Sequence, residues 1–128
     1  MLLACSPPPQ VAESHREDMN GRYVVTAIDG KPPVINIAGH DPTVTIDGSR
    51  VHFQSQCIYA DWTLDRTADG VRAKPYYEPR SAMCARGLAP GETAIQDAFN
   101  GLRAMFRTSD GGLRVEGGKY RVGLRRVN

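Results

Sequence analysis

The stretch Thr43-Val44-Thr45-Ile46, Asp47-Gly48, Val51-His52-Phe53-Gln54 leaves the chain few choices. Two runs rich in β-branched residues flank an Asp-Gly pair. Asp-Gly tolerates the positive backbone angles of a tight hairpin turn. Side chains alternate across a strand, so Val44, Ile46, Val51 and Phe53 share one face. That face needs a core, and a lone hairpin cannot make one. The rest of the sequence has to supply more sheet, or a helix to lie on it.

Both are legible. Arg22-Tyr23-Val24-Val25-Thr26-Ala27-Ile28 reads as a strand stopped by Asp29-Gly30, and Lys31-Pro32-Pro33 reads as a loop. Val34 to Ile37 is a short apolar piece. Trp62-Thr63-Leu64 and Val71-Arg72-Ala73-Lys74 flank the turn Thr67-Ala68-Asp69-Gly70, and Pro75 to Pro79 breaks the ladder. From Thr93 to about Phe106 the apolar residues Ile95, Phe99, Leu102 and Phe106 recur at helical spacing, with Pro90 and Glu92 suited to a first turn. Gly101 then falls inside the helix, as a weak spot or a close approach to the sheet. Leu113-Arg114-Val115, a Gly117-Gly118 turn and Tyr120 to Leu124 make a closing hairpin. The expected fold is α+β: a single curved, mainly antiparallel sheet with one main helix packed on it.

With 128 residues the chain is sized for one domain. Its net charge of +2 and scattered arginines argue against nucleic acid as a partner. Arg121, Arg125 and Arg126 form the densest basic group. They read as a solvated strand face, or as a contact for an anionic envelope surface. No run reaches the about 20 apolar residues of a membrane span.

Residues 1–5, Met1-Leu2-Leu3-Ala4-Cys5, have the pattern of a lipobox, with Cys5 as the lipid acceptor. The basic region and the apolar stretch of roughly 7–15 residues that precede such a cysteine are missing, so the start reads as truncated. The competing reading is a stray apolar terminus. Residues 6–18, opening with Ser6-Pro7-Pro8-Pro9, read as a stiff, polar spacer, and 19–128 as the folded domain. The expected location is the bacterial cell envelope, lipid-anchored, with the domain facing the periplasm. Cys57 and Cys84 lie 27 positions apart. An oxidising compartment favours a disulfide between them, stabilising by roughly 3–4 kcal/mol. Two buried free thiols are the alternative. A redox pair is disfavoured because no Cys-x-x-Cys occurs.

Taken together, these landmarks resemble the META domain, the HslJ-like family of bacterial envelope proteins, from about Asn20 to Leu124. The opening Gly21-Arg22-Tyr23-Val24-Val25 with Asp29-Gly30-Lys31-Pro32 is similar to the family's first strand and its Gly-Lys-Pro turn. Val51 to Cys57 sits where the family has a Gly-Cys-Asn segment, and Arg80-Ser81-Ala82-Met83-Cys84-Ala85 is close to a second cysteine segment. Glu92 to Phe106 resembles the helix that follows. The family's glycine is Gln56 here, and its asparagine is Ile58. The resemblance implies a single mixed domain, a partly closed, partly barrel-like antiparallel sheet wrapped on a helix, linked to the envelope and stress tolerance, with no enzymatic activity or cofactor established for the family.

The chemistry-bearing residues point the same way. His40, His52, Cys57 and Cys84 have no zinc spacing, so no metal is expected. Ser55, Ser81 and Ser109 lack a nucleophile motif, so no catalytic residue is assigned. The aromatic group Tyr59, Trp62, Tyr76 and Tyr77 is either cross-strand packing or a binding face, the latter helped by the flanking Pro75 and Pro79. The leading expectation is a monomeric, non-enzymatic binding domain. Its partner would be an envelope protein, or an apolar small molecule held between sheet and helix. A periplasmic inhibitor of a protease or lysozyme, presenting Tyr76 to Arg80, comes second. A hydrolase using His52 or His40 comes third.

Overall fold

A computed structural model describes residues 19–35, 41–77 and 86–127. The leader and spacer with Cys5, the segment around Cys84, and His40 lie outside the described residues.

Among the described residues, eight strands and one helix follow in order: β1 (Gly21–Ile28), β2 (Thr43–Asp47), β3 (Arg50–Ser55), β4 (Ile58–Thr67), β5 (Gly70–Pro75), α1 (Pro90–Asn100), β6 (Leu102–Arg107), β7 (Leu113–Gly117) and β8 (Tyr120–Val127). They form one sheet in the order β5-β4-β3-β2-β1-β8-β7-β6, with every neighbour antiparallel. Two-residue loops join β2 to β3, β3 to β4, β4 to β5 and β7 to β8, which is why the strands meander. The long-range step is the pairing of β1 with β8, from Arg22 opposite Val127 to Ile28 opposite Val122. It curls the sheet into a nearly closed barrel. The terminal strands β5 and β6 approach each other without a ladder. A Cβ at Gly70 would lie only 2.9 Å from the Arg103 carbonyl oxygen.

The hairpin of β2 and β3 is the expected one, with Val44, Ile46, Val51 and Phe53 all buried. Asp29 and Gly30 both have positive φ, 53° and 81°, and Ile28 bridges Lys31. Both angles are those of a type I′ turn. The helix is shorter than its apolar period suggests. It stops at Asn100 with Gly101 as its C-cap, and Leu102–Arg107 runs on as a strand paired with β7. The stripe expected through Phe106 is therefore split: Ile95, Phe99 and Leu102 are buried, while Phe106 is 44% exposed on β6. Sheet pairing overrides helical periodicity here because Gly101 already weakens the helix and β7 offers a ladder. Gly101 also marks a close approach, since a Cβ there would sit 2.8 Å from the Gly118 nitrogen.

The core fills the barrel. Tyr23, Phe53, Trp62, Leu113, Val115 and Val122 point in from the sheet, and Ile95, Ala98 and Phe99 from α1. Trp62 and Phe99 stack with centroids 4.8 Å apart. Arg121, Arg125 and Arg126 are exposed. Strand β8 lies between β1 and β7 rather than at an edge, so these charges do not guard an open ladder.

Candidate functional site

The aromatic group singled out in the sequence comes together in space. Tyr59 and Trp62 stand on β4, and Tyr76 and Tyr77 follow β5 directly. The backbone N–H of Tyr76 donates to the Asp61 carbonyl at 2.8 Å, extending the β4–β5 pairing beyond Pro75 opposite Trp62. The side chains border one cleft of about 160 Å³ with Pro75, Asp61, Gln96 and Asn100. Their exposures differ widely. Trp62 is 2% exposed and forms the inner wall, Tyr59 is 40% exposed, and Tyr77 is 87% exposed at the rim. The packing and binding readings thus divide between residues. Trp62 belongs to the core, whereas Tyr59 and Tyr77 face outward.

Polar groups set the cleft's geometry. Trp62 Nε1–H donates to Asn100 Oδ1 at 2.8 Å. Only the oxygen of that amide can accept, so the Asn100 NH₂ group is turned the other way. The Arg50 guanidinium lies 3.7 Å over the Tyr76 ring, a cation–π contact that holds the ring from one side. His52 Nδ1 meets Asp61 Oδ1 at 2.7 Å, and the His52 ring lies 5.8 Å from that of Tyr59. His52 and Asp61 are cross-strand partners on the outer face of the sheet. Ser55 occurs three residues on and is buried on the inner face. The alternation of β3 thereby separates Ser55 from His52.

A second cluster lies at the N-terminal end of α1, and the sequence reading missed it. Glu92 is fully buried. Arg86 grips it with two hydrogen bonds, Nη1 to Oε1 at 2.8 Å and Nη2 to Oε2 at 2.7 Å. The same guanidinium donates to Gln56 Oε1 at 2.8 Å and to the Ser55 carbonyl at 3.2 Å. The Ala89 N–H also donates to Glu92 Oε1, at 2.8 Å. Burial pushes the Glu92 carboxyl up. The hydrogen bonds from Arg86 and Ala89, the nearby Ser55 hydroxyl and the Arg86 charge outweigh that and hold it down at about 2. The Ser55 hydroxyl itself is buried outside hydrogen-bond geometry. Glu92 in turn raises the Arg86 guanidinium above its ordinary value. The arrangement clamps the β3–β4 loop to the start of the helix. Only the acidic first-turn position was visible in the sequence. Ala89 cannot complete a Ser/Thr-type capping box, and Arg86 stands in a loop at no helical spacing.

Cys57 sits in the clamped loop, half-buried. It borders a polar hollow of about 590 Å³ with Arg22, Asp41, Gln54 and Tyr59. A larger hollow of about 860 Å³ runs along β8 past Gly123 and carries charges of both signs, including Asp29, Asp110, Arg114 and Arg121. Among the described residues, no three His, Cys, Asp or Glu side chains gather as a metal site. No described helix is long and apolar enough to cross a membrane. The chain matches no known family, no curated protein and no solved structure.

Proposed function

We propose that the chain is a non-enzymatic, META-like domain of the bacterial cell envelope. It would be lipid-anchored through Cys5, face the periplasm, and act in stress tolerance by binding a protein partner or a small ligand. The observation that carries the binding role is the convergence of Tyr59, Trp62, Tyr76 and Tyr77 on one cleft. A folded domain has little reason to leave Tyr77 so exposed beside another aromatic, and such groupings are favoured in recognition. The Trp62–Phe99 stack fills part of the space between helix and sheet. The cleft opens beside it, with the aromatics of the sheet side on one wall and Gln96 and Asn100 of α1 on the other, and that is where this reading puts the ligand.

A Cys57–Cys84 disulfide belongs to the same proposal. The spacing of 27 positions and the half-buried place of Cys57 in the clamped loop support the bridge. Alkylation with and without prior reduction, followed by mass measurement, should show two thiols only after reduction. An unmodified Cys5 in protein taken from a native envelope would refute the anchor. The binding role is tested with the double variant Tyr59→Ala/Tyr77→Ala. It should keep the wild-type circular dichroism and lose capture of envelope components. Unchanged capture by the folded variant would refute it.

The prominence of Tyr77 also favours a second reading, in which the segment from Tyr76 onward inserts into a hydrolase. Stoichiometric inhibition in a panel of proteases and lysozymes, lost in Tyr77→Ala, is the corresponding expectation.

A further inference from the structure

We infer that the Tyr59–Trp62–Tyr76–Tyr77 cleft receives one uncharged sugar ring of a glycan, an assignment that rests on the binding role proposed above. A pyranose presents two kinds of surface: a flat patch of C–H groups and a girdle of hydroxyls. A site for it needs an aromatic face for the patch and fixed, planar polar groups for the girdle. The cleft has both. Tyr76, its ring held by Arg50 at 3.7 Å, borders the cleft. Tyr77 adds an exposed ring at the rim. The polar groups are Asp61 on β4 and the amides of Gln96 and Asn100, one helical turn apart and therefore on the same face of α1.

Two of these polar groups are already aimed. The Trp62 N–H fixes the Asn100 amide, and His52 holds the Asp61 carboxylate. Such preorganisation lowers the cost of ordering on binding. The volume, about 160 Å³, suits a single ring rather than a length of peptide backbone.

Charge and polarity narrow the class. Among the described residues that line the cleft Asp61 is the only charged one, so an acidic sugar or phosphate there would meet a like charge. A purely apolar ligand would desolvate Asp61, Gln96 and Asn100 without replacing their hydrogen bonds with water. A neutral polyol with an apolar face avoids both penalties.

Trp62 is the only tryptophan of the chain and lines the cleft, so its emission reports occupancy directly. The purified protein is titrated with three neutral trisaccharides, namely maltotriose, cellotriose and triacetylchitotriose. A proline- and tyrosine-containing hexapeptide is run alongside. At least one trisaccharide should change the emission saturably, with a Kd of about 1 mM. Tyr77→Ala and Gln96→Ala should each weaken it about tenfold, and Lys119→Ala should leave it unchanged. Circular dichroism confirms that each variant is folded. No saturable response to any of the three sugars overturns the assignment. So does a response that Tyr77→Ala and Gln96→Ala leave intact. A Tyr77-dependent response to the peptide alone overturns the sugar assignment while sustaining the broader binding role.

Discussion

Gln56 adopts φ of +57°, a backbone setting that costs a residue with a Cβ about 1 kcal/mol. It falls where the resembled family has glycine. Its side chain accepts from Arg86 in the clamp, which offsets the strain. Gln56→Ala removes the hydrogen bond and keeps the strain, whereas Gln56→Gly removes both. The glycine variant should therefore be the more stable of the two by about 1 kcal/mol in urea unfolding. Glu92 supports a pH prediction. Its carboxyl is held at about 2 in the fold, against an ordinary 4.5. A depressed value favours the folded state above the ordinary one, and that contribution disappears as pH falls toward the depressed one. Glu92→Gln should cost about 1–3 kcal/mol at neutral pH. Its urea midpoint should then fall less than that of the wild type between about pH 5 and pH 2. Equal acid dependence in the two proteins would mean that other carboxylates govern the acid limb. Neither residue announced its role in the sequence. The clamp joins a β-turn, a loop and a helix start that only the fold brings together.

The elements pack through close backbone approaches at glycines. A Cβ at Gly117 would lie 1.8 Å from the Ala98 carbonyl oxygen, so β7 and α1 touch main chain to main chain. Gly123, in the middle of β8, has nothing closer than 3.6 Å around such a Cβ. Gly117→Ala should therefore destabilise by about 3 kcal/mol or more through overpacking. Gly123→Ala should stay within about 0.5 kcal/mol of the wild type. Thermal unfolding of the pair checks both, and equal effects would contradict the packing. The hairpin of β2 and β3 was legible because its turn, alternation and β-branched residues agree. The helix was legible to Asn100 only. Beyond it, Leu102, Met105 and Phe106 satisfy a helical stripe and a strand alike, and the choice fell to β7 as pairing partner.

At the scale of the whole molecule, closure rests on β1 pairing with β8, and the barrel's seam is the unladdered approach of β5 to β6. Amides on the seam side of Val71–Ala73 and Ala104–Phe106 lack a strand partner. They should exchange hydrogen faster than those of the interior strands β2 and β3. Uniform protection across all eight strands would indicate a fully closed barrel in solution. Local chemistry by itself determined β1, the β2–β3 hairpin, β5, the closing hairpin and the aromatic identity of the candidate site, but of β4 only the part around Trp62-Thr63-Leu64 and not its start at Ile58. Those features depend on alternation, turn residues and side-chain character, all written over a few consecutive positions. Only tertiary structure decided where the helix ends, which strands close the barrel, that Arg86 reaches Glu92 and Gln56, and that Gln96 and Asn100 join the tyrosines. Each of those outcomes depends on residues far apart in sequence competing for the same space or the same hydrogen-bonding partner.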